Sequence, residues 1–186
     1  MIDNSIIDTL IGSGITLVSI LGTLSAIRLT AKNDRGTHIS KTRFDKEFEI
    51  YQELSEKNLS SLYAAGETVL IVRGLYDDES EQIKKHLEKM CILMNDADFS
   101  NKKYAPFIDE GIYRNYKELQ GLINDIFTMF KYWVHKSGNN LLYKGETYTY
   151  SDALKYIEEK QKEASNLSDM ILEDLRKYLK ELDAIK

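Results

Sequence analysis

The sequence predicts an all-α fold in which a single N-terminal transmembrane helix precedes a cytoplasmic antiparallel helical bundle, with room for one small hairpin. The first observation is that residues 9–27 contain no charged side chain. As a helix this stretch is about 28 Å long, close to the ~30 Å hydrocarbon core of a bilayer. The second is that apolar residues in the following segments recur at spacings of three and four, which is typical of amphipathic helices. The third is that the chain contains a single proline, so little interrupts these helices.

Two other interpretations of residues 9–27 are a buried core helix and a cleaved signal peptide. A core helix normally carries charges on one face, and a signal peptide begins with a basic region. Only Asp3 and Asp8 are charged before this stretch, and both alternatives are therefore disfavoured. We divide the chain into a transmembrane helix (1–28), a basic juxtamembrane segment (29–40) and a cytoplasmic helical bundle domain (41–186).

Basic side chains follow the apolar stretch and set its expected orientation. The positive-inside rule places this side of the helix in the cytoplasm. We expect a single-pass protein of the inner (cell) membrane, with its N-terminus outside and its C-terminal domain in the cytoplasm. Basic side chains near the bilayer attract anionic headgroups. The residues expected to make this contact are Arg28, Lys32 and Arg35.

One stripe of the predicted transmembrane helix carries only small or hydroxylated residues. Small residues at this spacing let helix backbones approach closely, and hydroxyls can bond between helices or face water. The stripe therefore predicts either a helix interface in a homo-oligomer, for which we expect a tetramer, or the lining of a pore. Glycine, serine and threonine also occur off the stripe, so an accidental spacing is a third interpretation. The stripe consists of Thr9, Gly12, Thr16, Ser19, Thr23 and Ala26.

Composition is that of a globular domain and limits the expected partners. Hydrophobic residues make up 42% of the chain and charged residues 30%, which does not suggest disorder. The net charge of −5 excludes a general polyanion-binding protein, so nucleic-acid contact would need a local basic patch. Cys91 is the single cysteine, which excludes an intrachain disulfide and agrees with a reducing cytoplasm.

Four amphipathic helices are predicted in the cytoplasmic domain, and the first two end before residue 98. The first extends from Ser40 to about Leu75, with Gly74 providing a left-handed stop. The second extends to about Ala97, with Cys91 as a small buried residue and His86 in solvent. Residues 98–106 are expected to form a loop.

The third and fourth predicted helices flank a short segment with strand character. Pro106 begins the third helix, which ends near Gly138. Threonines and tyrosines then alternate, so a hairpin that turns near Lys144 and Gly145 is predicted. Thr149 or Ser151 can cap the fourth helix. Short loops between four such helices favour an antiparallel bundle.

Aromatic and basic residues alternate between positions 131 and 150. Bases can stack on such rings while lysines contact phosphates, so a nucleotide or single-stranded oligonucleotide signal is one expected ligand. The alternative is structural, with Trp133 in the core and tyrosines on the rim of the bundle. The candidate ligand-binding residues are Lys131, Trp133, His135, Lys136, Tyr143, Lys144, Tyr148 and Tyr150.

Motifs of catalysis are not found in the sequence. There is no HExxH pair, phosphate-binding glycine loop, CxxC motif or nucleophile elbow, and the three histidines have no metal ligands at suitable spacing. We expect no enzymatic activity, no cofactor and no metal.

The layout of one N-terminal membrane helix and a small cytoplasmic helical domain resembles the small membrane-channel effectors of bacterial antiphage defence systems, most of all the channel subunit of the Hailong system. This resemblance implies a homo-oligomeric channel that a nucleotide or oligodeoxynucleotide signal opens or closes, and whose opening depolarises the infected cell. We therefore expect a homo-oligomeric membrane effector with a ligand-gated pore. The alternative is a single-pass, membrane-anchored interaction module that tethers a soluble partner protein.

Overall fold

The computed structural model describes residues 38–74, 80–135 and 140–184. Most of these residues are helical, and a short 3-10 helix and a two-stranded sheet connect the long helices. The elements in chain order are α1 (His38–Val72), α2 (Ser80–Tyr104), the 3-10 helix (Ala105–Phe107), α3 (Glu110–His135), β1 (Leu141–Tyr143), β2 (Glu146–Tyr148) and α4 (Tyr150–Ala184).

Helices α1 and α2 lie side by side in opposite directions. Lys57 on α1 forms an ion pair with Asp96 on α2 at 3.3 Å. Ten residues further along α1, Glu67 pairs with Lys89 at 2.8 Å. Residue numbers rise along one helix as they fall along the other, so the two helices are antiparallel.

Helix α4 completes the bundle by packing antiparallel to α1 and also to α3, where Asn115 contacts Asp174 and Asp125 contacts Tyr156. Arg73 near the end of α1 contacts Glu158 on α4 at 2.7 Å, whereas Glu47 near its start accepts a hydrogen bond from Tyr178 at 2.9 Å. The predicted helical bundle is confirmed, and its neighbouring helices run in opposite directions as in up-down-up-down bundles.

Apolar side chains from all four helices fill the bundle axis. Helix α3 buries a wide apolar face, as its apolar periodicity predicts. The largest fully buried side chains include Tyr51 and Leu54 of α1, Met90 of α2, Ile123, Ile126 and Phe130 of α3, and Ile157, Ile171 and Leu175 of α4.

A buried polar network joins α1, α2 and α3 within this core. The amide of Asn58 on α1 exchanges hydrogen bonds with Asn101 on α2, at 2.9 and 3.2 Å. Gln120 on α3 donates to Asn58 Oδ1 at 2.8 Å and to Ser61 Oγ at 3.1 Å. Because buried amides are costly without partners, this network favours one register of the three helices.

Helix α2 is longer than predicted, and the expected loop over 98–106 is wrong. The helix continues to Tyr104 because Ala97, Ser100 and Asn101 are buried against the bundle, so tertiary contacts outweigh the polar composition of this segment. Pro106 lies in the 3-10 helix and does not begin α3. Helix α3 begins at Glu110, where Asp109 Oδ1 accepts hydrogen bonds from the N–H groups of Gly111 and Ile112.

The buried face of α2 is rotated from the predicted one. His86, expected in solvent, is 8% exposed, and its Nε2 atom lies 3.0 Å from Thr68 Oγ1. Burial lowers the pKa of His86, although the nearby Glu67 carboxylate opposes this shift. Cys91, expected in the core, is exposed. The helix packs through His86, Met90 and Ala97, and both predictions are therefore wrong.

The predicted helix ends agree with the structure where a specific residue determines the end of the helix. Gly74 has a φ of +72° after the end of α1, as predicted for a left-handed stop. Thr149 caps α4: its N–H donates to Asp152 Oδ2 at 3.0 Å, and its hydroxyl accepts from Asp152 N–H at 3.3 Å. This reciprocal pair is a capping box.

The predicted fold class requires correction. The described chain is mostly helical with a small two-stranded sheet, and within those residues no helix has both the length and the apolar composition needed to cross a membrane. The 35-residue helices α1 and α4 are long enough but carry many charged side chains. Residues 9–27, on which the transmembrane prediction was based, lie outside the described part of the chain.

Candidate functional site

The predicted hairpin is present and turns where the sequence indicates. Strands β1 and β2 pair antiparallel, with Leu141 opposite Tyr148 and Tyr143 opposite Glu146. Lys144 and Gly145 form the turn with φ values of 51° and 85°. A type I′ turn requires positive φ at both central residues, and glycine adopts this conformation without steric cost.

A buried carboxylate on α3 holds this hairpin against the bundle. Asp125 Oδ1 accepts a hydrogen bond from Tyr143 Oη at 2.8 Å. Asp125 Oδ2 accepts from Lys144 Nζ at 2.6 Å and from Tyr156 Oη of α4 at 3.1 Å. We call these four residues the Asp125 cluster. It joins the hairpin, α3 and α4 through one side chain that is 7% exposed.

The Asp125 cluster holds its donors in their protonated forms. Burial, reinforced by the Asp125 carboxylate, raises the pKa of both Tyr143 and Tyr156. The hydrogen bond to Asp125 raises the pKa of Lys144. The lysine therefore stays charged at neutral pH and compensates the carboxylate, as a buried acid requires.

Tyrosine rings extend the cluster along the hairpin. The ring of Tyr156 meets those of Tyr143 and Tyr148 edge to face, with centroids 6.5 and 5.2 Å apart. Tyr148 Oη donates to Glu146 at 2.9 Å, and Tyr132 Oη lies 3.5 Å from the Tyr148 carbonyl oxygen. The contacts with Tyr132 and Tyr156 add to the attachment of the hairpin to α3 and α4.

The candidate ligand-binding residues are divided between this cluster and the end of α3. Tyr143, Lys144 and Tyr148 come together on the hairpin, and each bonds to an acidic side chain of the protein itself. Trp133 is half-buried and stacks on Phe130, with centroids 6.0 Å apart. Lys131 and His135 are exposed on α3.

Several predicted site residues cannot be placed. The side chain of Tyr150, the first residue of α4, and the whole of Lys136 lie outside the described part of the chain. The same holds for the small-residue stripe Thr9, Gly12, Thr16, Ser19, Thr23 and Ala26, and for Arg28, Lys32 and Arg35.

Sequence reasoning missed the acid on which the hairpin site is centred. Asp125 lies between Ile123 and Ile126, both of which are fully buried. A carboxylate on the apolar face of a helix normally needs a buried partner. That position was the available signal, but Tyr156, 31 residues further along the chain, could not be identified as its partner.

A second surface feature was also missed, on the solvent side of α2. Glu88, Ile92, Asn95, Phe99 and Lys102 are all exposed, and we call this stripe the α2 outer face. Ile92 is 61% exposed and Phe99 69% exposed. The side chain of Phe107, in the 3-10 helix that follows, is 65% exposed.

Exposed apolar side chains recur in this segment of the chain. Among the described residues, six large hydrophobic side chains are exposed, and three of them lie between positions 92 and 107: Ile92, Phe99 and Phe107. Apolar side chains grouped in this way mark interaction sites more often than isolated ones do.

Neither metal-ligating side chains nor similarity to known proteins indicates a function for this chain. Within residues 38–74, 80–135 and 140–184, no group of three or more His, Cys, Asp or Glu side chains is arranged to hold a metal ion. No family model matches the chain, and neither a curated protein nor a solved structure is found to be similar to it. The resemblance to antiphage channel effectors therefore stays a prediction.

Proposed function

We propose that this protein is a non-catalytic helical interaction module that works as a homo-oligomer. The observation that carries the proposal is the concentration of exposed apolar side chains between Ile92 and Phe107. A soluble bundle gains nothing from exposing two phenylalanines and an isoleucine there, whereas a subunit interface would bury them.

The internal bonding of the reactive side chains supports a binding role over a catalytic one. Asp125 is buried and shared among two tyrosines and a lysine. His86 is buried against Thr68 and Phe130. A general acid or base must reach a substrate atom within hydrogen-bond distance, and both groups already bond within the protein.

The hairpin fits this role as a rigid surface feature. The Asp125 cluster fixes it on α3 and α4, and Leu142 at its outer side is 71% exposed. A rigid apolar contact loses little conformational entropy on binding. The hairpin is therefore suited to contact a soluble partner protein while α2 is used for self-association.

The expected pore, its nucleotide signal and its place in the membrane stay predictions. The pore and the membrane location depend on residues 9–27, which the structure does not describe. The nucleotide contact depends in part on Lys144, whose charge is directed at Asp125 at 2.6 Å. A phosphate would have to compete with that carboxylate.

Self-association is tested by the mass of the purified full-length chain. We expect static light scattering in a mild detergent, with bound detergent subtracted, to give a multiple of the 21.5 kDa chain mass at micromolar concentration. A single-chain mass at every concentration tested would contradict the proposal. The measurement needs no knowledge of the soluble partner.

A further inference from the structure

We infer that the α2 outer face pairs antiparallel with the same face of a second copy of this chain, across a two-fold axis at Asn95. The inference deepens the proposed self-association and depends on it. It specifies the surface, the partner and the polarity, none of which follows from self-association alone.

The five residues of the face form one continuous stripe. Glu88, Ile92, Asn95, Phe99 and Lys102 follow each other at steps of four, three, four and three, the spacing that places residues on one side of a helix. The opposite side of α2 contains His86, Met90 and Ala97, which are buried against the bundle. The stripe therefore points away from the other helices of its own chain.

The charges of the stripe are arranged symmetrically about its centre. Glu88 and Lys102 each lie seven residues from Asn95, on opposite sides, a distance of about 10.5 Å along the axis. In an antiparallel pair Glu88 faces Lys102 of the second copy, and the contact occurs twice. In a parallel pair at equal height each charge would face its own kind, which is unfavourable.

The apolar residues follow the same symmetry. Ile92 precedes Asn95 by three residues and Phe99 follows it by four, so Ile92 of one copy lies beside Phe99 of the other. Two such contacts flank the axis and cover side chains that are 61% and 69% exposed in the single chain. An interface of this kind is isologous, because each copy uses the same patch.

The polar residues of the stripe can be satisfied in the pair. An asparagine amide both donates and accepts hydrogen bonds, so two Asn95 side chains can bond to each other at the axis. Lys102 already pairs with Asp98 on its own helix at 2.6 Å, but an ammonium group has three donors. It can therefore bond to Asp98 and to Glu88 of the second copy together.

Cysteine cross-linking at the axis tests the geometry. Facing Cα atoms of two helices packed 8–10 Å apart, each ~2.3 Å from its own axis, are about 3.4–5.4 Å apart, and the wider spacings suit large side chains such as Ile92 and Phe99. A disulfide needs Cα atoms about 4.4–6.8 Å apart. We expect the full-length Cys91→Ser/Asn95→Cys variant to form disulfide dimers under mild oxidation.

Two other cysteine positions provide matched controls. The native Cys91 is exposed, but it lies four residues from the axis and would be about 12 Å from its equivalent along the helix pair. Cys91→Ser/Leu142→Cys carries its cysteine on the 71%-exposed position of the hairpin. We expect both to cross-link at least tenfold more slowly than the cysteine at position 95.

Charge reversal tests the polarity separately. Glu88→Lys places two lysines opposite each other, and we expect the Kd of the pair to rise about tenfold. Glu88→Lys/Lys102→Glu restores opposite charges in the antiparallel arrangement and should recover most of the affinity. All the substituted positions are exposed, so thermal unfolding of the single chain should change only slightly, through the loss of the exposed Lys102–Asp98 pair in the double variant.

The outcomes separate the inference from the proposed function. Cross-linking at position 95 with recovery in the double charge variant supports the antiparallel pair. An oligomer by light scattering without cross-linking at position 95 overturns the inferred interface and leaves self-association standing. A single-chain mass overturns both.

Discussion

Two carboxylates in this protein each accept hydrogen bonds from a lysine and a tyrosine, but in different surroundings. Asp125 accepts from Tyr143, Lys144 and Tyr156, and its side chain is 7% exposed. Glu53 on α1 accepts from Ser100, Lys103 and Tyr104, and its side chain is 38% exposed. We call the latter group the Glu53 cluster. In both clusters, two of the donors are a lysine and a tyrosine that are adjacent in the sequence.

The two clusters do similar structural work at different places. The Asp125 cluster attaches the hairpin to α3 and α4, whereas the Glu53 cluster attaches the last turn of α2 to α1. Water screens charges at the second site much more than at the first, because interaction energies scale inversely with the local dielectric constant. Burial, more than the identity of the partners, should therefore decide how much each cluster stabilises the fold.

Neutralising Asp125 should have the largest effect. In Asp125→Asn the amide oxygen replaces only one of the two carboxylate oxygens as an acceptor. The amide NH2 group replaces the other oxygen and faces hydrogen-bond donors. Because hydrogen bonds to charged groups contribute about 1.5–3 kcal/mol each, we expect the free energy of unfolding to fall by about 3 kcal/mol. The measurement is the urea midpoint of unfolding at neutral pH, with the slope checked for constancy.

An exposed ion pair supplies the control for Asp125→Asn. Asp96 pairs with Lys57 at 3.3 Å and is 49% exposed, and Asp96→Asn should cost less than about 0.5 kcal/mol. If both substitutions lowered the free energy of unfolding equally, burial would not decide how much a carboxylate stabilises this fold.

The sequence predicts the elements whose cause is local. Apolar spacing indicates the helices, and Gly145 and Gly74 mark turns that need positive φ. Thr149, one of the two predicted caps, marks the start of α4, where it bonds to Asp152. In each of these cases the determining residues lie within a few positions of one another, so the pattern is complete in a short window.

Apart from the α2 outer face, the features that sequence reasoning missed depend on residues far apart in the chain. Asn58, Asn101 and Gln120 form one network only because three helices meet. The same contact between α1 and α2 extends α2 to Tyr104, through residues whose polar composition suggests a loop. Asp125 was detectable as an acid within an apolar face, but its partner Tyr156 was not. Of the four residues in the Asp125 cluster, the sequence therefore indicated Tyr143 and Lys144, whereas Asp125 and Tyr156 were identified only in the tertiary structure.

Removing one tyrosine hydroxyl from each cluster measures the effect of burial on a single hydrogen bond. Tyr156→Phe keeps the ring against Tyr143 and Tyr148 but removes a donor to buried Asp125. We expect a loss of about 1.5 kcal/mol in the free energy of unfolding. Tyr104→Phe removes a donor to the more exposed Glu53, and we expect about 0.5 kcal/mol. Urea unfolding of both variants under one condition makes the comparison direct, and a larger loss for Tyr104→Phe would reverse it.

A small effect at neutral pH is expected for Glu53→Gln, and its pH dependence identifies its origin. The hydrogen bond from Tyr104, followed by the contacts with Lys103, lowers the pKa of Glu53 below its ordinary value of 4.5. Because the folded state binds this proton less readily than the unfolded state, the stabilisation is complete above pH 4.5. It is lost as the pH falls through the lowered pKa.

We therefore expect Glu53→Gln to cost less than about 1 kcal/mol at neutral pH and to cost progressively less as the solution is acidified. Urea unfolding of the variant and the original protein across that pH range checks the trend. The double variant Glu53→Gln/Tyr104→Phe isolates the interaction between the two side chains. The coupling free energy of the two substitutions should be measurable at neutral pH and absent in acid. A coupling that persists in acid would mean that the neutral Glu53 carboxyl group bonds to Tyr104 as strongly as the carboxylate does. The charge of Glu53 would then not be the origin of the stabilisation.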